Sequence, residues 1–246
     1  MKNMKMYDPI AKTYDLASSR YTEDIPFYVK EAKKAKGPVL ELACGTGRIY
    51  LELLKNGVDA YGIDVSGKML EILKKKAKSE GLKSKIFKKD MRTFKFNKKF
   101  DSIIIPFRGF LHMETREDQI KCLKNIRKHL KKGGRLVLNF FDPKMEIISK
   151  VKYRWPESKW KVGKDNYSVF DISVFDLVNQ KISVVKTLKK NGKIIDKVNF
   201  SLCYIFPREF MNLLELCGFK KWKLYGGFNY KLYKKHGSEL VWIAYK

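Results

Sequence analysis

Apolar positions recur along this chain with two periods in turn, and their alternation sets the first expectations. Ile25, Tyr28, Val29, Ala32 and Ala35 fall on one stripe of a helix that Gly37-Pro38 ends. Ahead of it, Asp8 before Pro9 reads as the N-cap and first residue of an earlier helix. From residue 38 the chain alternates. Val39 to Ala43 is a strand-like run, and a helix carrying Ile49, Leu53 and Leu54 closes at Gly57. Ala60 to Val65 is a second strand, after which Ser66 caps a helix with Met69, Leu70, Leu73 and Ala77 inward and Gly81 at its end. Lys85 to Lys88 is a short third strand, and Phe100 to Pro106 a fourth, apolar enough to be buried on both faces of a parallel sheet. Thr115 and Asp118 form a capping box for a helix bearing Ile120, Leu123, Ile126 and Leu130, broken at Gly133-Gly134. Arg135 to Phe141 is the fifth strand.

After Asp142-Pro143 the helical period vanishes. Phe170, Ile172 and Val174 alternate on one strand face, as do Val198, Phe200, Leu202, Tyr204 and Phe206 on another, and Asn191-Gly192 marks a hairpin turn before the latter. Helical spacing returns over Pro207 to Cys217, ends at Gly218, and gives way to strands at Lys220 to Tyr225 and Leu240 to Tyr245. The expectation is an open α/β sheet with helices on both faces and its ligand at the strand C-terminal ends. Three parts are predicted: a helical lid over 1–36, a sheet domain over 37–143 and 207–246, and an antiparallel insert over 144–206.

Composition narrows the class. At 246 residues, one globular domain with an insertion is the default. Mean hydropathy is −0.39, and no apolar run approaches the roughly 18 residues of a membrane span. The first ten residues lack the apolar core of a secretory signal, so a cytoplasmic location is expected. Cys44, Cys122, Cys203 and Cys217 stand far apart, without metal-ligand spacing, and are expected to be reduced and mostly buried, with no metal site. The 53 basic against 26 acidic residues, a net +27, leave two readings open. One is attraction to a polyanion such as nucleic acid. The other is a solvated lysine coat, because only nine of the 53 are arginine and the dense run from Lys74 to Lys99 falls on a helix and an edge strand, where lysines discourage edge pairing.

The chemistry concentrates in Val39-Leu40-Glu41-Leu42-Ala43-Cys44-Gly45-Thr46-Gly47-Arg48, a strand entering a glycine turn and then a helix. Such a turn lets backbone approach a ligand, and the helix start offers unpaired N–H groups. A dinucleotide fingerprint needs a third small residue where this chain has Tyr50, which argues against pyrophosphate binding. Asp64 ends the second strand, where a carboxylate accepts from both ribose hydroxyls; the competing role, capping the next helix, suits Ser66 better. Asp90-Met91 sits beside the same crevice, with framing of an adenine and an ordinary loop both open.

Together, ELACGTG, GIDVS with Asp64, Asp90-Met91, FDSIIIPFR and LKKGGRLVLNFFDP resemble the class I S-adenosylmethionine-dependent methyltransferases, over residues 7 to 142 and again in REFMNLLELCGFKKWKLYG. The likeness is to the small-molecule type, with a helical lid and an antiparallel insert after the fifth strand. It implies a Rossmann-like seven-stranded mixed sheet of order 3-2-1-4-5-7-6 with strand 7 antiparallel, and S-adenosylmethionine as cofactor. It also implies that Glu41, Ala43, Gly45 and Gly47 line the methionine end, that Asp64 beside Val65 holds the ribose, and that Asp90 and Met91 frame adenine. Pro106, Phe107 and Arg108 would face the transferred methyl, and Tyr7 and Tyr14 resemble lid tyrosines.

Methyl transfer from a sulfonium is an in-line displacement with a good leaving group, so few catalytic side chains are obligatory. A base would help an amine or hydroxyl nucleophile, and His112, after the fourth strand, is the candidate, against a merely packed histidine. His129 suits the helix dipole, and His236 has no companion motif. Arg108 reads either as a substrate-anion partner or as half of an internal salt bridge. Arg208 and Tyr204 are candidates to line the acceptor pocket, with core packing the favoured reading for Tyr204 from the apolar alternation. Ile105-Pro106-Phe107-Arg108 lacks the polar acceptor that exocyclic-amine methylation of nucleobases uses, and no Pro-Cys suits cytosine C5 chemistry. The expected activity is methyl transfer to an N or O atom of a small molecule. An RNA methyltransferase using the basic surface and a non-catalytic S-adenosylmethionine-binding module are the alternatives, and nothing in the sequence bears on oligomeric state.

Overall fold

A computed structural model describes residues 7–18, 20–237 and 239–246. The start of the expected lid, residues 1–6, lies outside the described residues. Two short helices, α1 (Tyr14–Ser18) and α2 (Ile25–Lys33), precede the alternation of β1 (Val39–Leu42), α3 (Tyr50–Lys55), β2 (Ala60–Asp64), α4 (Gly67–Ser79), β3 (Lys85–Lys88) and β4 (Phe100–Ile105). A 3-10 turn at Gly109–His112 leads into α5 (Arg116–His129) and β5 (Leu130–Phe141). A four-residue helix, α6 (Met145–Ile148), opens the next stretch, followed by β6 (Lys152–Arg154), β7 (Ser158–Val162), β8 (Asp165–Asp176), β9 (Lys181–Lys190) and β10 (Lys193–Cys203). The chain closes with α7 (Pro207–Leu216), β11 (Lys221–Tyr225) and β12 (Glu239–Tyr245).

The larger sheet has the order β11-β12-β5-β4-β1-β2-β3, parallel from β5 to β3, with β12 antiparallel to both its neighbours. Strands β1 and β4 sit at its centre with almost no exposure, as runs of Val, Leu and Ile covered on both faces should. On one face α5 and α7 pack Leu123, Ile126, Phe210 and Leu214 against Leu136, Leu138 and Trp242. On the other, α2, α3 and α4 bring Tyr28, Leu53 and Leu73 onto Val39, Ile104 and Val137. The edge strand β3 leaves Lys85 and Lys88 exposed, the lysine placement that blocks edge pairing. No helix among the described residues is long and apolar enough to cross a membrane. All four cysteines are free and buried.

Several local expectations give way. Asp8 caps no helix: residues 7–13 are turns, and its carboxylate instead accepts from Ser66 Oγ. Thr115 does cap α5, accepting from Asp118 N–H at 3.2 Å, but Asp118 pairs with Arg92 rather than closing the box. Helix α5 stops at His129, because Leu130 already pairs with Phe100 in the sheet. The helical period does not vanish after Pro143, since α6 supplies one turn.

The second sheet is antiparallel, ordered β10-β9-β8-β6, with β7 pairing the far half of β8. Its β9–β10 turn is Asn191-Gly192, both residues at positive φ, 50° and 80°, as a two-residue hairpin of this kind requires. Along β8 the expected face is buried at Phe170 but gives way further on. Ser173 and Phe175 are buried while Val174 is exposed, because cross-strand pairing with Val184 and Ile182 fixes the register.

Candidate active site

The C-terminal ends of β1, β2, β4 and β5 open onto a cavity of about 950 Å³, roofed by residues 7–18 and floored by the inner face of the antiparallel sheet. It stands near the upper end of the ~300–1,000 Å³ usual for ligand sites. Of the residues singled out above, Tyr7, Tyr14, Glu41, Ala43, Gly45, Asp64, Val65, Asp90, Met91, Pro106, Phe107, Arg108 and His112 all line it. Gly47, Tyr204 and Arg208 do not.

The turn after β1 bends through positive φ at Ala43 (55°), Gly45 (53°) and Gly47 (92°). A Cβ on Gly45 would meet nothing within 4 Å, so its missing side chain leaves open space on the cavity side. Gly47 differs: a Cβ there would lie 2.1 Å from Leu73 Cδ1. Its lack of a side chain serves the close packing of α4 against the turn, which corrects its expected place in the ligand wall. Gly45 N–H donates to Asp64 Oδ2 at 2.9 Å, and Ser66 N–H donates to Asp64 Oδ1 at 2.8 Å. Burial raises the Asp64 pKa while these backbone donors oppose it. Glu41, also buried, has its carboxyl pushed well above the usual range by desolvation, and its Oε2 is without a hydrogen-bond partner among the described residues.

At the crevice edge, Asp90 is held by Arg92 through contacts of 2.7 to 3.1 Å. Burial works to raise its pKa, but the bonds and charge of Arg92 prevail and lower it. Met91 is buried against the core. The loop after β4 takes positive φ at Phe107 (51°) and Arg108 (66°), a costly conformation for non-glycine residues. Asn139, fully buried near the C-terminal end of β5, anchors it. Its Oδ1 accepts from Phe107 N–H at 2.9 Å and from Tyr28 Oη at 2.7 Å, and its Nδ2 donates to Glu239 Oε2 at 2.8 Å. Glu239 Oε1 in turn pairs with the Arg108 guanidinium. The internal salt bridge is therefore the observed state of Arg108. Sequence reasoning passed over Asn139, although a lone amide within the apolar RLVLNFF run was the available signal.

The roof is tied down at four points. Tyr7 Oη lies 3.2 Å from His112 Nε2, Thr46 Oγ1 donates to Asp15 at 2.6 Å, Ser66 bonds Asp8, and Thr13 bonds Asp196 of β10. The Tyr7 ring meets Tyr14 and His112 edge-on, with centroids 5.7 and 5.5 Å apart. Burial, and then the charges of Tyr14, Asp64 and Asp171, hold the Tyr7 phenol well above its usual pKa. Burial lowers His112 to about 4 against a backbone bond to Ser201 and the charge of Glu114, so the imidazole is neutral at physiological pH. Arg48, also missed in the sequence, lines the cavity with its guanidinium forked onto the buried Asp24 and stacked on Tyr21 and Phe107.

The remaining candidates fall outside. Tyr204 lies beyond the end of β10 and packs with Ile148, Phe175, Ile182 and Val184, while Arg208 is exposed on the first turn of α7. Strand β10 instead presents Val198, Phe200 and Leu202 to the cavity. His129 does not act as a cation at the end of α5. Burial lowers its pKa, and it sits between Asn125 O and Phe96 N–H, against the Phe94 ring. His236 has a companion after all, Asp142 at the end of β5, which also accepts from Tyr233 Oη and Gly237 N–H.

Residues 39–134 match the family described as methyltransferase domain. The chain is 27% identical over 222 residues to the putative methyltransferase YqeM of Bacillus subtilis, covering 87% of each. It is 31% identical over 166 residues to the ubiquinone/menaquinone biosynthesis C-methyltransferase UbiE of Geotalea daltonii, covering 63% of this chain and 69% of that one. In fold it superposes on the CcbJ methyltransferase of Streptomyces caelestis with a TM-score of 0.83 at 20% identity, over 99% and 98% of the two chains. The sheet order, the glycine turn held against an acid on the neighbouring strand, and these likenesses agree: the chain belongs to the class I S-adenosylmethionine-dependent methyltransferases.

Proposed function

We propose that this methyltransferase transfers the methyl group of S-adenosylmethionine to an N or O atom of a small-molecule acceptor lodged between residues 7–18 and the antiparallel sheet. The observation that carries the reading is a single cavity continuous from Gly45 and Asp64 to Val184, Phe200 and Leu202. The residues present suit the cofactor. Asp64 still has lone pairs for ribose hydroxyls, the open face of Gly45 gives room, and the orphaned Glu41 Oε2 offers a hydrogen-bond acceptor to the amino group of an amino-acid tail. When bound, S-adenosylmethionine supplies an electrophilic methyl on a sulfonium.

The chain's own residues would orient and dry the site. We assign Asp90 and Met91 to the adenine side, Pro106 and Phe107 to the methyl side, and Tyr7 and Tyr14 to the roof that excludes water. His112, neutral at pH values well above 4, holds the Tyr7 hydroxyl with one ring nitrogen and the Ser201 backbone with the other, and we assign it the base role, which it takes by releasing the Tyr7 hydroxyl. Arg108 serves by fixing the strained loop through Glu239 rather than by meeting substrate. As many acidic as basic side chains line the cavity of this +27 chain, so the lysine coat does not continue inward, which favours a small acceptor over RNA. The free, buried cysteines accord with a reducing cytoplasm.

Calorimetric titration with S-adenosylhomocysteine, followed by assay of its production from S-adenosylmethionine across a small-molecule panel, tests the reading. Binding plus acceptor-dependent turnover is expected. Absence of binding, or turnover only with RNA, overturns it.

A further inference from the structure

The floor of the acceptor half of the cavity is nearly all apolar, lined by Phe175, Val184, Leu188, Val198, Phe200 and Leu202. One ion pair interrupts it. Asp171 on β8 lies directly across from Lys186 on β9, and Lys186 Nζ donates to Asp171 Oδ2 at 2.8 Å. That uses one carboxylate oxygen; the other, Oδ1, is buried without a partner among the described residues. Asp142 repeats the arrangement at the end of β5. Its side chain is fully buried, its Oδ2 is held by His236, Tyr233 and Gly237, and its Oδ1 is buried and unpartnered. Both residues line the cavity.

The cations around this space are spoken for. Arg48, Arg92, Arg108, Lys181 and Lys186 are each paired with a carboxylate, Lys89 lies over the Phe96 ring, and Lys144 and Lys197 are exposed. The unmet demand of the lining is therefore for hydrogen-bond donors, and it falls on anionic oxygens. A buried carboxylate oxygen left bare is costly, and a ligand N–H relieves that cost better than a ligand oxygen, which would add repulsion.

We propose that the acceptor is an amine on an apolar body, its nitrogen recognised by the unpartnered oxygens of Asp142 and Asp171; this rests on the methyl-transfer reading above. The step balances without an external base. The lone pair of the neutral amine forms the new C–N bond as the C–S bond breaks, and the C–S electron pair stays on sulfur. The positive charge passes from sulfonium to the product ammonium, which sheds a proton to solvent on release. Fixed carboxylates beside that nitrogen favour the charge where it arrives.

The test uses the full chain. Calorimetry first establishes S-adenosylhomocysteine binding, which isolates failure of the methyltransferase reading. The saturated complex is then titrated with matched sets sharing an arylalkyl or cycloalkyl skeleton and ending in an amine, an alcohol or a carboxylate. Amines are expected to bind at least about tenfold tighter than their matched alcohols and carboxylates. D171N and D142N should each remove that preference while leaving S-adenosylhomocysteine affinity within about twofold. Equal affinity across a set, preference for alcohol or carboxylate, absence of any amine binding, or an amine preference surviving in both variants overturns the proposal. Because the preference is read first in the unaltered chain, a variant that fails to fold does not shield it.

Discussion

Gly45 N–H donates to Asp64 Oδ2 across 2.9 Å, joining the turn after one strand to the tip of the next. The bond fixes the mouth of the cavity before any ligand arrives. Asp64 shapes the turn, and the role proposed for it beyond that is to present its remaining lone pairs to the cofactor. D64A should lower S-adenosylhomocysteine affinity by about 10- to 100-fold, the effect of losing charge-assisted hydrogen bonds. Calorimetry on the variant reads this directly, and unchanged affinity would refute the assignment.

Gly47 makes a contrasting prediction, because its Cβ would strike Leu73 rather than a ligand. G47A should cost about 2–4 kcal/mol, from overpacking plus the positive φ, and lower Tm by roughly 5–15 °C. Shortening the opposing side chain in G47A/L73A should recover part of that loss. Strict additivity of the two substitutions would show that Leu73 is not the obstacle.

Asn139 satisfies Tyr28, Phe107 N–H and Glu239 at once. Its replacement in N139L takes a hydrogen-bond partner from each of the three, so a loss of about 3 kcal/mol is expected in urea unfolding. The loop at Phe107 and Arg108, released from its anchor, should also slow turnover more than it weakens cofactor binding. A variant as stable as the parent would mean that the network is dispensable.

Burial of His112 gives a signed pH dependence. Its folded pKa of about 4 lies below the ordinary 6.5, so the unfolded chain binds the extra proton first as pH falls. This group's contribution makes stability rise with pH between about 4 and 6.5 and stay level above that window. Turnover should show no inflection near 6.5 from this residue and should fail only as the pH approaches 4. In Y7F the imidazole loses its hydroxyl partner, and kcat should drop several-fold with Tm little changed. An acid limb centred near 6.5 in the parent would contradict the buried, neutral imidazole.

The β/α half was readable because each unit carries its own punctuation. Ser66 and Thr115 cap helices, Gly57 and Gly81 end them, and apolar stripes fall where packing needs them. The antiparallel half was less so. Phe170, Ile172 and Val174 alternate as if inward, yet pairing with β9 turns Ser173 and Phe175 inward, and residue type alone cannot report which face a neighbour covers. Strands β6 and β7, rich in Lys and Arg, give no apolar period at all. The core reading of Tyr204 holds, since it packs with Phe175, Ile182 and Val184 in line with Phe200, while the pocket role of Arg208 fails because the chain has turned into α7 and leaves that side chain exposed. Asp171 and Asp142 became notable only through which of their oxygens lacks a partner, a property of three-dimensional surroundings.

The four ties on the roof reach the glycine turn through Thr46, the cap of α4 through Ser66, the hairpin through Asp196 and the floor of the fourth strand's loop through His112. Lifting the roof off the cavity would undo several of them together, which gives that movement a threshold energy of its own. If chemistry on a sulfonium is quick, departure of the spent nucleoside thioether sets the pace. Solvent viscosity should then slow steady turnover while leaving the first, single turnover untouched.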